Sequence, residues 1–322
     1  MTASIAPLTP DQSRSRSAID VAVLIGGWSA ERAVSLTSGT ACAEALKRAG
    51  FSVRTVDVPR DLSALAAALT PKPTVAFNAL HGRGGEDGVI QSVLEMMAVP
   101  YTHSGVPASA IAMDKPLTKR VLAGVGVRAP DGLELQADQL TGDHPLPPPY
   151  VLKPADEGSS VGVRVVREGD NAAAPTSADW PAGQRLAAEV FIPGRELTVG
   201  VMGDRALTVT EIEHSHGFFD YDAKYVPGHA VHHLPAPVPA AVADEAMRWA
   251  LLAHQTLGCR GISRSDFRWD DSQPGTTGLY FLEINTQPGF TAISLVPEQA
   301  QHLGIGFEAL CAWLVEDALC RA

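Results

Sequence analysis

Apolar and polar residues are arranged in alternating blocks along the first third of the chain. The apolar run at 19–25 ends in two glycines, which is typical of a buried parallel strand that enters a tight turn. Residues 30–49 are good helix formers with apolar residues on one side, and short runs at 52–58 and 74–78 predict two more strands. This alternation of strands and helices predicts an open, parallel, Rossmann-like sheet.

The pattern changes after Lys115, where loops and short strands replace the regular alternation. Prolines within 145–149 form a stiff entry to a strand predicted at 150–154. Two strand-like runs, 186–192 and 196–202, flank a Pro-Gly turn. The central part of the chain is therefore predicted to be α+β.

The last part of the chain begins with a predicted core-facing helix at 240–257. Two strands at 261–269 and 278–285 follow, and an amphipathic helix runs from about 307 to the terminus. A chain of 322 residues is expected to divide into two or three domains. We expect a flexible arm at 1–18, a Rossmann-like domain at 19–115, a central domain at 116–205 and a C-terminal domain at 206–322.

The formal net charge of -11 argues against a general affinity for nucleic acid, because binding phosphates requires a basic surface. An anionic ligand must therefore meet a local positive site. The four cysteines lack metal-binding spacing and fit a reducing cytoplasm. No apolar run in the sequence approaches the roughly 18 residues that span a bilayer. We therefore expect a cytoplasmic protein with neither nucleic acid nor membrane as a partner.

Two glycine-rich segments follow predicted strands of the first domain. HGRGGEDG at 81–88 places His81 and two acids at the carboxyl end of a strand, where parallel sheets usually bind ligands. GGWSAERAVS at 26–35 places Glu31 at a strand-to-helix junction. Either segment could instead be an ordinary turn whose acids complement the dipole of the following helix.

The segment VLKPADEGSSVGV at 151–163 combines a strand with a small flexible loop. The strand presents Lys153, and the loop supplies backbone N–H groups and the hydroxyls of Ser159 and Ser160, which suits closure over phosphates. The segment lacks the Walker spacing, so it is not a P-loop. The alternative is a plain Gly-Ser hairpin turn.

Two further predicted strands carry pairs of polar residues with oxygen ligands. Arg264 and Asp266 lie two residues apart on one strand, and Glu283 and Asn285 lie two apart on the next. Each pair therefore shares one face of its strand. Three oxygen donors beside an arginine suit one or two Mg²⁺ ions that bridge nucleotide phosphates, whereas zinc would favour His or Cys. The alternative is a row of charged residues on a solvated sheet face.

Seven segments, taken in chain order, resemble the successive signatures of the D-alanine–D-alanine ligase family within the ATP-grasp superfamily. They are GGWSAERAVSLTSG, HGRGGEDG, AMDK, KPADEGSSVGV, YDAKY, RSDF and LEINTQPGFTAISLVP. The resemblance covers about residues 20 to 320. It implies a Rossmann-like domain followed by a two-part ATP-grasp fold, with ATP between two antiparallel sheets and the substrates beside the N-terminal domain.

The resemblance also assigns roles to individual residues around ATP. It implies Lys115 and Lys153 at the phosphates, Glu189 at adenine, Glu196 at ribose, Phe191 and Ile192 along the adenine slot, and Lys224 at the γ-phosphate on a closing loop. It implies two Mg²⁺ or Mn²⁺ ions held by Asp266, Glu283 and Asn285.

For the amino-acid substrates, the resemblance implies a second set of residues. Glu31 would bind the ammonium of the first D-alanine, supported by Ser159 and Tyr225, and Arg264 with the Gly289 N–H would form an oxyanion hole. His81 would also contact substrate, and Ser294 and Leu295 would receive the second D-alanine.

The function implied is ATP-dependent ligation of two D-alanines through an acyl phosphate. The dipeptide would enter peptidoglycan precursor synthesis, and hence cell wall biogenesis and cell shape, with the enzyme acting as a cytoplasmic homodimer. Two alternatives remain open: a D-alanine–D-lactate ligase that differs around the second substrate, and a noncatalytic nucleotide sensor. The set of Arg264, Asp266, Glu283 and Asn285 argues against the sensor, because binding alone would not require an oxyanion donor beside metal ligands.

Overall fold

The computed structural model describes residues 15–158, 162–169, 174–214 and 230–320. The strands are β1 (Asp20–Ile25), β2 (Ser52–Asp57), β3 (Val75–Asn78), β4 (Gly132–Gln136), β5 (Tyr150–Pro154), β6 (Arg164–Val166), β7 (Arg185–Val190), β8 (Arg195–Met202), β9 (Arg205–His214), β10 (Ala230–His233), β11 (Ile262–Trp269) and β12 (Leu279–Asn285). The helices are α1 (Arg32–Arg48), α2 (Leu62–Ala68), α3 (Val89–Met96), α4 (Val106–Met113), α5 (Lys115–Ala123), α6 (Ala240–Thr256), α7 (Leu295–His302) and α8 (Phe307–Cys320).

The first sheet is parallel, with strand order β2-β1-β3, which confirms the Rossmann-like prediction. The middle strand β1 is buried on both faces, because Val21 to Leu24 have no exposed surface and helices cover the sheet. The C-terminal helix α8 returns to this sheet, where Leu310 and Leu314 join one apolar cluster with Val23 and Leu46. Helix α8 therefore completes the apolar core on one face of the first sheet.

Two antiparallel sheets follow. The smaller has the order β4-β7-β5-β6 and is built around buried Tyr150 and Leu186. The larger has the order β10-β9-β8-β11-β12, and its strands pack against α6 through Phe267 and Trp249. Among the described residues, no helix is long and apolar enough to cross a membrane.

The two strands on either side of the Pro-Gly turn lie in different sheets. β7 pairs with β4 and β5, whereas β8 pairs with β9 and β11. Gly194 allows the crossing, because its φ is +88° and a Cβ there would lie 2.2 Å from the Trp269 carbonyl oxygen. A domain boundary at 205 would separate β8 from its partners, so we propose that the two antiparallel parts meet at 191–194 instead.

Candidate active site

The residues predicted to bind the nucleotide lie in a cleft between the two antiparallel sheets. Those within the described part of the chain all line it: Lys115, Lys153, Glu189, Phe191, Ile192 and Glu196. Val151, Val163 and Leu282 add apolar walls, and Asp266 and Glu283 border the same cleft. The cleft therefore combines an apolar slot with lysines and carboxylates.

Strand register explains why Lys153 and Glu189 meet. Val151 on β5 is paired with Glu189 on β7, so Lys153 lies two residues along the same face, within diagonal reach. Lys153 Nζ lies 2.9 Å from Glu189 Oε2, and both side chains are about nine-tenths buried. Burial opposes ionisation of Glu189, but Lys153 and Lys119 outweigh it and lower the pKa of the carboxyl to about 2.

Two basic residues in or behind this cleft were absent from the sequence prediction. Lys119, one turn beyond Lys115 on α5, forms an ion pair with Glu189. Arg268 lies 3.7 Å from Glu196 and 5.8 Å from the centre of the Phe191 ring. A lone lysine on a helix usually indicates a solvated face, so only the i, i+4 spacing from Lys115 offered a sequence signal. The sequence signal for Arg268 was clearer, because Arg268 continues the alternation of Arg264 and Asp266 on β11.

The predicted metal ligands are brought together by the pairing of β11 with β12. Asp266 lies opposite Glu283, and Arg264 lies opposite Asn285. The Arg264 guanidinium donates to both Asp266 oxygens at 2.8 Å, and the Thr198 hydroxyl donates to Oδ1 at 2.6 Å. These described contacts leave an acceptor position on Asp266 Oδ2.

This oxygen set suits a hard divalent cation. Two carboxylates and one amide match the ligands that Mg²⁺ and Mn²⁺ use. Within the described residues, no group of three or more His, Cys, Asp or Glu side chains is placed to hold a metal, so the candidate set depends on Asn285 as its third ligand. Lys115 Nζ lies 3.5 Å from Glu283 Oε2, which partly neutralises that carboxylate.

A second cavity adjoins the nucleotide cleft on the side of the first domain. Glu31, His81, Arg264, Asn285 and Gly289 line it. It shares Lys115, Glu157, Gly158 and Glu283 with the nucleotide cleft. A ligand in this cavity would therefore lie beside the part of the nucleotide cleft that contains Lys115 and Glu283.

His81 is fixed from both sides of its ring. Its Nε2 lies 2.9 Å from the Ser38 hydroxyl on α1, and its Nδ1 lies 3.2 Å from Glu86 Oε1. His81 and Glu86 are both buried. Glu86, one of the two acids of the HGRGGEDG segment, also lines the cavity. The HGRGGEDG segment is therefore part of the site.

The loop that carries Gly289 is anchored to the first domain. The Gln287 side chain accepts from Asn78 Nδ2 at 2.6 Å and donates to the Leu80 carbonyl. Ser294 immediately precedes α7 and Leu295 begins it; neither lines the two cavities. Ser159, Lys224 and Tyr225 lie outside the described residues.

A cleft between two antiparallel sheets, with a Rossmann-like domain beside it, defines an ATP-grasp fold. Family models described as "D-ala D-ala ligase N-terminus" and "D-ala D-ala ligase C-terminus" match residues 61–104 and 137–316. A D-alanine–D-alanine ligase of Acidiphilium cryptum is 55% identical over 301 residues, covering 94% of this chain and 99% of the relative. The chain belongs to the D-alanine–D-alanine ligase family.

Further similarities agree with this membership. A D-alanine–D-alanine ligase of Rhizorhabdus wittichii is 52% identical, covering 94% of this chain and 97% of the relative. The crystal structure of the Bacillus anthracis D-alanine–D-alanine ligase complexed with ATP aligns with a TM-score of 0.77 at 26% identity, covering 94% of this chain and 98% of that one. The predicted combination of a Rossmann-like domain and an ATP-grasp fold is confirmed.

Proposed function

We propose that this chain joins two D-alanines to D-alanyl-D-alanine while converting ATP to ADP and phosphate. The observation that carries the proposal is the junction of the two cavities at Lys115 and Glu283. A nucleotide in one cavity and an amino acid in the other would bring the γ-phosphate close to a carboxylate. The dipeptide would supply peptidoglycan precursor synthesis.

In the first step, a carboxylate oxygen of D-alanine attacks the γ-phosphorus and ADP leaves. The product is an acyl phosphate, which makes phosphate a good leaving group for the next step. Catalysis of this transfer rests on positioning and on cations around the transferred group. Lys115 and Lys153 supply those cations, Phe191 and Ile192 hold the adenine, and Glu189 and Glu196 accept hydrogen bonds from adenine and ribose.

Asp266, Glu283 and Asn285 would hold Mg²⁺ or Mn²⁺, in the two-ion arrangement implied by the family. Such ions neutralise phosphate oxygens when bound. The carboxylates present suit this role, because both border the cleft and each is paired with a cation, Glu283 with Lys115 and Asp266 with Arg264.

In the second step, the amine of another D-alanine attacks the acyl carbon and phosphate leaves. Arg264 and the Gly289 N–H would stabilise the developing oxyanion, and both line the substrate cavity. Glu31 would bind the ammonium of the first D-alanine beside His81. The proposal gives Ser294 and Leu295 to the second D-alanine, with Ser159, Lys224 and Tyr225 completing the site, as the family resemblance implies.

A D-alanine–D-lactate ligase would share the nucleotide cleft, and a nucleotide sensor would release no phosphate. Phosphate release with ATP and Mg²⁺ in the presence of D-alanine, D-lactate together with D-alanine, or neither separates these functions when the products are also identified. We expect release that requires D-alanine and a product that is mainly the dipeptide. A mainly depsipeptide product at neutral pH would contradict the proposal.

We also propose a cellular location and an oligomeric state for the enzyme. All four cysteines are free of disulfides, and a reaction that consumes ATP suits the cytoplasm. A homodimer is the assembly that the family resemblance implies, and sedimentation of the purified chain would test it.

A further inference from the structure

Lys119 is a buried lysine that lies behind the nucleotide cleft. Burial and the charge of Lys153 lower its pKa to about 7, whereas Glu189 favours its charged form. Lys119 is one helical turn beyond Lys115 on α5, so both lysines point toward the same side of the helix. Lys115 lines the cleft, whereas Lys119 is not among the lining residues. The Lys119 side chain is 10% exposed and forms an ion pair with the Glu189 side chain, which is 8% exposed.

Glu189 is thereby held at both oxygens. Lys119 contacts Oε1, and Lys153 lies 2.9 Å from Oε2. Within the described part of the chain, these lysines are the cations within ion-pair distance of Glu189. Lys153 has a second role under the proposed function, because it must turn toward the phosphates of ATP. Lys119 does not line the cleft, so under the proposed function it can remain on Glu189 throughout.

A buried carboxylate that loses its cations takes up a proton. This proton would change the hydrogen bonds that Glu189 can form with a purine base. An ionised carboxylate only accepts hydrogen bonds, whereas a protonated carboxyl also donates one. The 6-amino group of adenine is a donor and needs the acceptor, while the 6-oxo group of hypoxanthine or guanine is an acceptor and would favour the donor.

We propose that Lys119 is a positioning residue that keeps Glu189 an ionised acceptor and so makes the cleft select 6-aminopurine nucleotides over 6-oxopurine nucleotides. The inference rests on the proposed function, which places Glu189 at adenine. It gives different roles to the two lysines that contact Glu189. Lys119 sets the preference for the purine base, and Lys153 turns toward the phosphates of ATP.

The test compares ATP with inosine triphosphate, which carries an oxo group in place of the 6-amino group. Lys119→Met is assayed for D-alanine-dependent phosphate release with each nucleotide at saturating D-alanine and Mg²⁺. We expect kcat/KM for ATP to fall about tenfold or more, mainly through KM, and the ratio of ATP to inosine triphosphate to fall at least about fivefold. Arg120→Met is the matched control, because Arg120 is the next residue on α5 and its side chain is 61% exposed; it should keep the wild-type ratio.

Removing one member of a buried ion pair can impair folding, so a second comparison uses a neutral pair. Lys119→Met is combined with Glu189→Gln, which removes both charges. Because Lys119 acts through Glu189, the double variant should show the same nucleotide ratio as Glu189→Gln alone, within about twofold. Circular dichroism and thermal unfolding establish which variants are folded.

Different results overturn different claims. A Lys119→Met variant that keeps the wild-type preference for ATP contradicts this inference, as does a double variant whose ratio differs from that of Glu189→Gln. A wild-type protein with no preference for ATP over inosine triphosphate contradicts this inference too. Wild-type protein that shows no D-alanine-dependent phosphate release contradicts the proposed function itself.

Discussion

Acid should destabilise this protein through His103, a buried residue beside the loop that carries Gly289. The His103 ring lies edge-on to the rings of Phe77 and Phe290, at 5.9 and 6.2 Å between centroids. Its backbone φ is +70°, and its Nδ1 has no hydrogen-bond partner among the residues that the structure describes. Burial, with a smaller contribution from His81, lowers the pKa of the imidazole to about 3. His103 is therefore neutral in the folded protein at neutral pH.

The direction of the pH effect follows from the unfolded chain, where a histidine has a pKa of about 6.5. Between about pH 3 and 6.5 the unfolded state binds more protons at this residue than the folded state does. The contribution of neutral His103 to stability is therefore fully present above pH 6.5 and is lost as pH falls toward 3. For this residue alone, a change from pH 7.5 to pH 5 should remove roughly 2 kcal/mol of unfolding free energy.

The assay is urea unfolding of wild type and His103→Asn at both pH values. Asparagine tolerates a positive φ, so the variant keeps the backbone while losing the titrating ring. The variant should be less stable at pH 7.5 because a cavity replaces the ring. Acidification should then cost the wild type about 2 kcal/mol more than it costs the variant. Equal losses in the two proteins would refute the account of His103.

Three further changes test the candidate site. Glu283→Gln should raise the Mg²⁺ concentration needed for half-maximal turnover with little change in melting temperature; wild-type activity across a Mg²⁺ titration would contradict the metal assignment. Arg264→Gln should lower kcat at least about 100-fold, equivalent to about 3 kcal/mol, because one oxyanion donor is lost; a kcat within tenfold of wild type in steady-state assays would exclude that role. Gln287→Ala should lower the free energy of unfolding by about 1 to 3 kcal/mol, because buried Asn78 and Leu80 groups lose a partner, and chemical denaturation measures this.

The sequence indicated which residues share the nucleotide cleft, but not which of them contact one another. Lys153 and Glu189 could be assigned to one site, but their diagonal contact depends on how β5 and β7 pair, which no local pattern specifies. The strand at 150–154 was predicted with the bounds it has, because prolines precede it and it is uniformly apolar before Lys153. By contrast, β7 and β8 looked like neighbours around a turn, and only long-range pairing places them in different sheets.

Burial was the other property that residue patterns could not supply. Lys119 lies on α5 and Glu86 lies just before α3, yet both side chains are nine-tenths buried although charged residues usually face solvent. The carboxyl ends of strands did indicate a shared cavity, since Glu31 and His81 follow β1 and β3 and line one cavity. Their contacts with substrate stay a prediction.

The transfer of oxygen from D-alanine to phosphate tests the central claim most directly. D-alanine labelled with ¹⁸O at both carboxylate oxygens is incubated with the enzyme, ATP and Mg²⁺, and the phosphate and dipeptide are analysed by mass spectrometry. Formation and breakdown of an acyl phosphate predicts one ¹⁸O atom in phosphate for each dipeptide formed, and far less labelled phosphate with L-alanine. Phosphate that carries no ¹⁸O, or equal labelling with both enantiomers, would contradict the proposed reaction.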